Sequence, residues 1–198
     1  MMMSNEYLSV FTGDFHPLFS AIDELMKRKE RIIVAIDGNC AAGKTSLALS
    51  LASKFACNVI PMDDFFLRPY QRTPERLREP GGNIDYERFR DEVVAPLVSG
   101  ERFSYRPYDC GTEELSAPVF VAPRPLNVIE GVYSLHPFFS AGFDIRVFLR
   151  LGAAEQRNRL SDRSPGLFDR FIDEWIPMEN RYFEHFKIPE KCDLVFGA

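Results

Sequence analysis

Eight residues, Gly38-Asn39-Cys40-Ala41-Ala42-Gly43-Lys44-Thr45, carry the spacing G-x-x-x-x-G-K-[ST]. Glycines at these offsets let a backbone turn tightly and bring its N–H groups up to a polyphosphate, and the first turn of a following helix adds favourable partial charge. Lys44 then reaches the outer phosphates, and the Thr45 hydroxyl is the kind of ligand Mg²⁺ takes there. The pattern predicts a nucleotide cradle over Gly38, Asn39, Cys40, Ala41, Ala42, Gly43, Lys44, Thr45 and Ser46, with ATP and Mg²⁺ as its occupants. A glycine-rich turn beside a surface lysine is the plainer alternative.

Three further groups have the chemistry to complete a phosphoryl transfer. Asp63-Asp64 follows the apolar run Cys57–Met62; an acid there can accept a proton from an attacking hydroxyl or hold Mg²⁺ through water, or else merely cap a turn. Glu130 closes Leu126-Asn127-Val128-Ile129 and is the candidate second residue of the metal sphere after Thr45. Arg157, Arg159 and Arg163 precede the breaker Ser164-Pro165-Gly166; on a lid over the phosphates, Arg159 or Arg163 would neutralise charge developing during transfer.

These groups need a scaffold that brings strand ends together. Arg31-Ile32-Ile33-Val34-Ala35-Ile36-Asp37 reads as a strand of the buried type, and Lys44 to Phe55, which carries Leu47, Leu49, Leu51, Ala52 and Phe55 without a breaker, as a helix. Further strands are expected over Cys57–Met62, Leu126–Gly131, Phe143–Leu151 and Cys192–Phe196, and further helices over Pro17–Arg28, Tyr86–Val98, Ala153–Arg163 and Leu167–Phe186. Such an alternation predicts an α/β fold with a mainly parallel five-stranded sheet and helices on both faces, whose ligands sit beyond the carboxyl ends of the strands. His16 reads as a surface residue before the first helix, and Trp175 and His185 as packing residues. Leu67–Gly82, with Arg68, Arg72, Arg76 and Arg78, reads as a long polar connection that either grips a phosphate or carboxylate of the acceptor or is a solvated surface. Asp85 is placed to cap the helix that follows. The pair Arg102–Tyr108 and Ala117–Val121 predicts a hairpin outside the sheet, over residues 101–122, and the lid is expected over about 157–167.

The chain of 198 residues is expected to form one domain, residues 1–198. Its net charge of −5 and isoelectric point of about 5.3 argue against generic binding to nucleic acid or anionic membrane, and leave a homo-oligomer open. The four cysteines are scattered with no C-x-x-C pair, which suggests reduced thiols rather than zinc or a disulfide framework. No apolar run approaches the roughly 18 residues of a membrane span, and Met1-Met2-Met3-Ser4-Asn5-Glu6 lacks the pattern of a secretory leader, so a cytoplasmic location is expected.

From about Ile32 onward the order of elements resembles the uridine kinase and phosphoribulokinase-like group of phosphate-loop kinases. Met62-Asp63-Asp64-Phe65-Phe66 is similar to their Asp-Ser-Phe-Tyr segment, in which the first acid is general base on a sugar hydroxyl; Asp63 takes that position, and Phe66 falls in the same substrate-side segment. Asn83-Ile84-Asp85 is similar to their Asn-Phe-Asp, whose acid holds ribose hydroxyls. Ile129-Glu130-Gly131 matches their Glu-Gly, Tyr108 resembles a pyrimidine-contacting tyrosine, and the arginines from Arg157 to Arg163 look like their lid. Three departures stand out: no His follows Tyr108, where Glu113 or a neighbour stands instead, the lid reads Asp162-Arg163 rather than Arg-Asp, and the arginine-bearing loop after Asp64 is unlike theirs. The resemblance implies ATP-dependent transfer of the γ-phosphoryl group to a hydroxyl of a small metabolite, a nucleoside first. One alternative is a phosphorylated or acidic acceptor bound by the arginines from Arg68 to Arg78, Arg72 among them; another is a nucleotide-dependent switch or binding module with no such acceptor.

Overall fold

A computed structural model describes residues 14–197, so the stretch Met1–Glu6, read as lacking a leader pattern, lies outside the described residues. Helix α1 (His16–Met26) leads into β1 (Ile32–Gly38), α2 (Lys44–Lys54) and β2 (Cys57–Pro61). Two short 3₁₀ turns and α3 (Pro74–Arg78) connect to a helix over residues 86–99, made of α4 (Tyr86–Phe89), a π segment Arg90–Val94 and α5 (Ala95–Ser99). Strands β3 (Phe103–Tyr105), β4 (Tyr108–Asp109), β5 (Glu114–Leu115) and β6 (Val119–Val121) follow, then β7 (Leu126–Glu130) and β8 (Ile145–Arg150). The chain continues through α6 (Ala153–Arg163) and a helix over residues 168–186, which is α7 (Phe168–Arg170), a π segment Phe171–Trp175 and α8 (Ile176–Phe186), to end in β9 (Leu194–Gly197).

The five long strands pair in parallel in the order β2-β7-β1-β8-β9. Every residue of β1 and β7 is buried, because helices cover both faces and the strands therefore read as continuous aliphatic runs. On one face Ile32, Val34 and Ile36 pack with Leu18 and Ile22 of α1 and Leu47 and Leu51 of α2. On the other, Ile33, Ala35 and Ile129 pack with Phe89, Val93 and Leu97 of the residue 86–99 helix and with Tyr182 and Phe183 of α8. Truncating a fully buried side chain such as Ile22 to Ala would cost roughly 2–5 kcal/mol.

Both π segments have one local cause. Pro96 and Pro177 lack an N–H, and in a regular ladder each ring meets the carbonyl four residues back; widening the preceding turn relieves that contact.

Several expectations need correction. The 67–82 segment is not a plain loop: Thr73 caps α3 through a 3.2 Å bond from Arg76 N–H, and Pro74 favours the first helical position. The hairpin is two short ladders, β3 with β6 and β4 with β5, separated at Arg106-Pro107, where Pro107 has no N–H to donate. His16 is the first residue of α1, and that helix stops at Met26, before Lys27 and Arg28. His185 is exposed, since the buried stripe of α8 is Glu179, Tyr182 and Phe183. Among the described residues no helix is long and apolar enough to cross a membrane.

Candidate active site

Sheet register brings the site together. Ile36, Glu130 and Pro61 lie in one row across β1, β7 and β2, so the phosphate loop, the Glu130 carboxylate and the Asp63-Asp64 turn emerge side by side at the carboxyl edge. Gly38 has φ +142°, and a Cβ there would stand 2.1 Å from the backbone oxygen of Leu149 on β8. Only glycine lets the loop leave the sheet so close to its neighbour. Gly43, in the left-handed region at φ +90°, then starts α2 with no side-chain cap, which leaves first-turn N–H groups free for an anion.

The loop is held from several sides. Asn39 Oδ1 accepts from Leu151 N–H at 3.0 Å, and Gln156 of α6 donates to the Cys40 carbonyl at 3.2 Å. Arg159 donates to the Ala41 carbonyl at 3.3 Å and pairs with Glu155 at 2.7 Å. The Lys44 ammonium donates to the carbonyls of Gly38 and Asn39, both at 2.8 Å. Burial pushes the Cys40 thiol up to about 12, so it is an inert packing group rather than a nucleophile. Ser46 is half-buried in the first turn of α2.

Thr45 Oγ1 lies 3.1 and 3.2 Å from the two oxygens of Glu130, one hydroxyl beside one carboxylate. Two hard oxygen ligands next to a phosphate cradle are what Mg²⁺ uses, the rest of its octahedron being phosphate oxygens and water. These residues therefore fit the ion. Burial raises the Glu130 carboxyl, against the pull of Lys44.

The two acids after β2 have different settings. Asp64 accepts from the Tyr105 hydroxyl at 3.0 Å, and its carbonyl accepts from Arg88 at 2.9 Å. No side chain among the described residues hydrogen-bonds Asp63. Asp63 is open to solvent yet crowded by protein, and this crowding lifts its carboxyl above the usual range while Lys44 and Arg163 pull it down. Contact with solvent limits the size of that shift. Arg163, exposed at the end of α6, is the arginine of that helix whose charge Asp63 feels; Arg159 is engaged with the loop.

Arg72, Tyr108 and Asp85 form a second group. Arg72 donates to the Tyr108 hydroxyl at 3.0 Å and to the Leu67 carbonyl at 2.9 Å, and lies 3.7 Å from Glu113. The exposed Cys110 feels the charge of both Arg72 and Asp63, which links this group to the site. Asp85 is buried, caps α4 through Arg88 N–H at 3.1 Å and accepts from Gln71 at 2.7 Å. A cavity of about 510 Å³ lies against it, lined also by Gln71, Arg76 and Glu87 and by no residue of the phosphate loop. Phe66 is half-buried against the core and its backbone bridges Ile84. Of the other arginines in this segment, Arg76 forks onto Glu87 at 2.8 and 2.6 Å and stacks on Tyr86, Arg78 pairs with Glu75 at the surface, and Arg68 is held by Gln71 and Asp85.

Three residues about the loop escaped the sequence. Asp37 is fully buried and accepts from Gly38, Tyr133 and Leu135 N–H groups and from the Tyr182 hydroxyl at 2.7 to 3.2 Å. Burial lifts its carboxyl to about 6, opposed by those donors. An acid at the end of an otherwise aliphatic strand was its signal. Glu179 and Gln156 gave none, lying in helices whose buried faces are otherwise apolar.

The architecture recurs among solved structures. A possible uridine kinase from Bacillus stearothermophilus superposes with a TM-score of 0.65 at 23% identity, covering 91% of this chain and 99% of that one. The fold is that of a phosphate-loop NTPase. The YGR205w protein matches at TM-score 0.59 and 13% identity over 93% and 92% of the two chains, and a D-glycerate 3-kinase from Cryptococcus neoformans at 0.54 and 15% over 81% and 84%. No family model and no curated protein matches the chain. The phosphate-loop fold places Gly38 to Ser46, Glu130 and Asp63 at the carboxyl edge of the parallel sheet, where such folds bind their ligands.

Proposed function

We propose that the protein is an ATP-dependent kinase that transfers the γ-phosphoryl group to a hydroxyl of a small metabolite. The observation that carries this reading is Asp63, a carboxylate with no hydrogen-bond partner among the described residues, two residues beyond Pro61 in the row of Glu130 and Ile36, that feels both Lys44 and Arg163. Loop amides and Lys44 bind the phosphates, Lys44 turning to them from the carbonyls it now holds. Bound Mg²⁺, kept by Thr45 and Glu130, would offset charge on the β- and γ-phosphates. Asp63 accepts the acceptor's proton at its carboxylate oxygen as the hydroxyl attacks the γ-phosphorus, ADP leaves, and Arg163 faces the charge on the transferred group. Arg159 keeps the lid helix on the loop. Fold likeness to kinases agrees with this chemistry and does not name the acceptor.

The acceptor is first a nucleoside, with Asp85 and Tyr108 toward sugar and base. Arg72 favours a second reading. Its guanidinium sits at the Tyr108 hydroxyl, where a phosphate or carboxylate of an acidic acceptor would find it. ADP release from ATP and Mg²⁺ across nucleosides, nucleoside monophosphates, sugar phosphates and hydroxy acids tests both, with Lys44→Ala as the blank. Stimulation by a nucleoside supports the first, and stimulation by acids alone, with Arg72→Ala raising the acceptor KM at least tenfold and sparing that of ATP, the second. Nucleotide binding with no response to any compound would sink the kinase reading in favour of a switch.

A further inference from the structure

A carboxylate that phosphoryl transfer does not use sits against the phosphate loop. Glu179, on the first turns of α8, is buried, and its Oε2 accepts from the Cys40 N–H at 3.0 Å. The titratable groups that face it are Lys44 of α2, the Cys40 thiol of the loop, Asp37 of β1 and Tyr133 after β7. Lys44 is the one cation among these, and its ammonium is engaged with the carbonyls of Gly38 and Asn39. Glu179 forms no ion pair among the described residues; the Cys40 amide, the Cys40 thiol and the nearby charge of Lys44 hold it. Burial lifts its carboxyl to about 7, against the pull of Lys44. The Cys40 thiol, at about 12, and Tyr133, well above its ordinary value, stay protonated near neutrality.

A polyphosphate entering the loop changes the electrostatics at Glu179 in two ways. It brings several negative charges close, and it draws the Lys44 ammonium toward itself. Both favour the neutral acid. We propose that Glu179 is a positioning residue of the phosphate loop that takes up one proton from solvent when nucleotide binds, its carbonyl oxygen continuing to accept the Cys40 N–H in the neutral form. The inference rests on the nucleotide-site reading and is independent of the acceptor. It makes nucleotide affinity fall as pH rises above neutrality, by up to about tenfold per pH unit.

Calorimetric titration with MgADP at pH 8, in buffers of different ionisation enthalpy, tests it, because the diphosphate is already fully ionised there. The wild type should take up between about half and one proton per nucleotide. Glu179→Gln, whose amide oxygen can still accept the Cys40 N–H, should bind without proton uptake and with a Kd level from pH 7 to pH 8.5. Wild-type binding with no uptake, or uptake retained in Glu179→Gln, would overturn the inference. Should that variant not fold, the infrared difference spectrum of the wild type decides: a protonated-carboxyl band must appear on adding MgADP, and its absence refutes the proposal. Failure of the wild type to bind MgADP at all would be a different failure, that of the nucleotide site itself.

Discussion

Asp63 and Asp64 are adjacent in the chain and chemically identical, yet their surroundings assign them different work. Asp64 is tied to Tyr105, so its carboxylate is part of the packing between the turn after β2 and the β3 strand. Asp64→Asn should leave turnover within a fewfold of wild type and lower stability by about 1 kcal/mol, read by urea unfolding. A hundredfold fall in turnover would place the proton acceptor at Asp64 instead. The arginines of α6 divide in a similar way. Arg163→Ala should lower kcat by at least tenfold with little change in ATP affinity, because it removes a charge facing the reacting group. Arg159→Ala should weaken nucleotide binding, because it loosens the loop at Ala41. Steady-state kinetics with measured nucleotide affinities separates the two, and an interchange of their effects would refute the assignment.

At the scale of elements, the phosphate loop is a joint between β1, α6 and α8. Tyr182 is fully buried and donates to Asp37 at 2.8 Å, while Glu179, one turn earlier on α8, holds Cys40. Tyr182→Phe should cost about 2 kcal/mol, the loss of a hydrogen bond to a buried charge, and unfolding in urea measures it; no loss would mean that α8 is not fastened there. Much of this scale was legible in the sequence. The aliphatic run before Gly38 and the apolar periodicity after Lys44 gave strand, loop and helix, and α6 spans the residues its pattern marks. The tie from Glu179 to Cys40 was not legible, because it joins residues 139 apart and nothing in the local pattern of α8 sets a buried glutamate apart from an exposed one. The engagement of Arg76 within the 67–82 segment was not legible either, because it is spent on Glu87 and on the carbonyls of Gly82 and Ile84, contacts that the spacing of the arginines does not reveal.

For the molecule as a whole, buried titratable groups set opposed responses to acid. His136 is stacked among Tyr86, Tyr182 and Phe139, and burial depresses its imidazole to about 4. Its folded value lies below its unfolded one, so the unfolded chain takes the proton first, and this contribution to stability is lost as pH falls from about 6.5 toward 4. Asp37 and Glu179, raised to about 6 and about 7, act with the opposite sign: the folded chain takes the proton first, which adds stability as pH falls through those values. The two acids together outweigh the histidine, so the wild type should gain about 1–2 kcal/mol in stability between pH 7 and pH 5. In His136→Leu the change over that interval should shift by about 2 kcal/mol in favour of the folded state at pH 5, measured by urea unfolding at the two pH values. The same pH dependence in both proteins would mean that His136 carries a proton in the folded state.

The most direct measurement on the central claim is the effect of Asp63→Asn on MgATP affinity and on turnover with a responsive acceptor. Asn keeps the size of the side chain and removes the carboxylate. MgATP should bind as it does to wild type, and kcat should fall by roughly 10²–10⁴. Turnover that survives the substitution would contradict the account, because the site would then be transferring phosphate without the group placed to take the acceptor's proton.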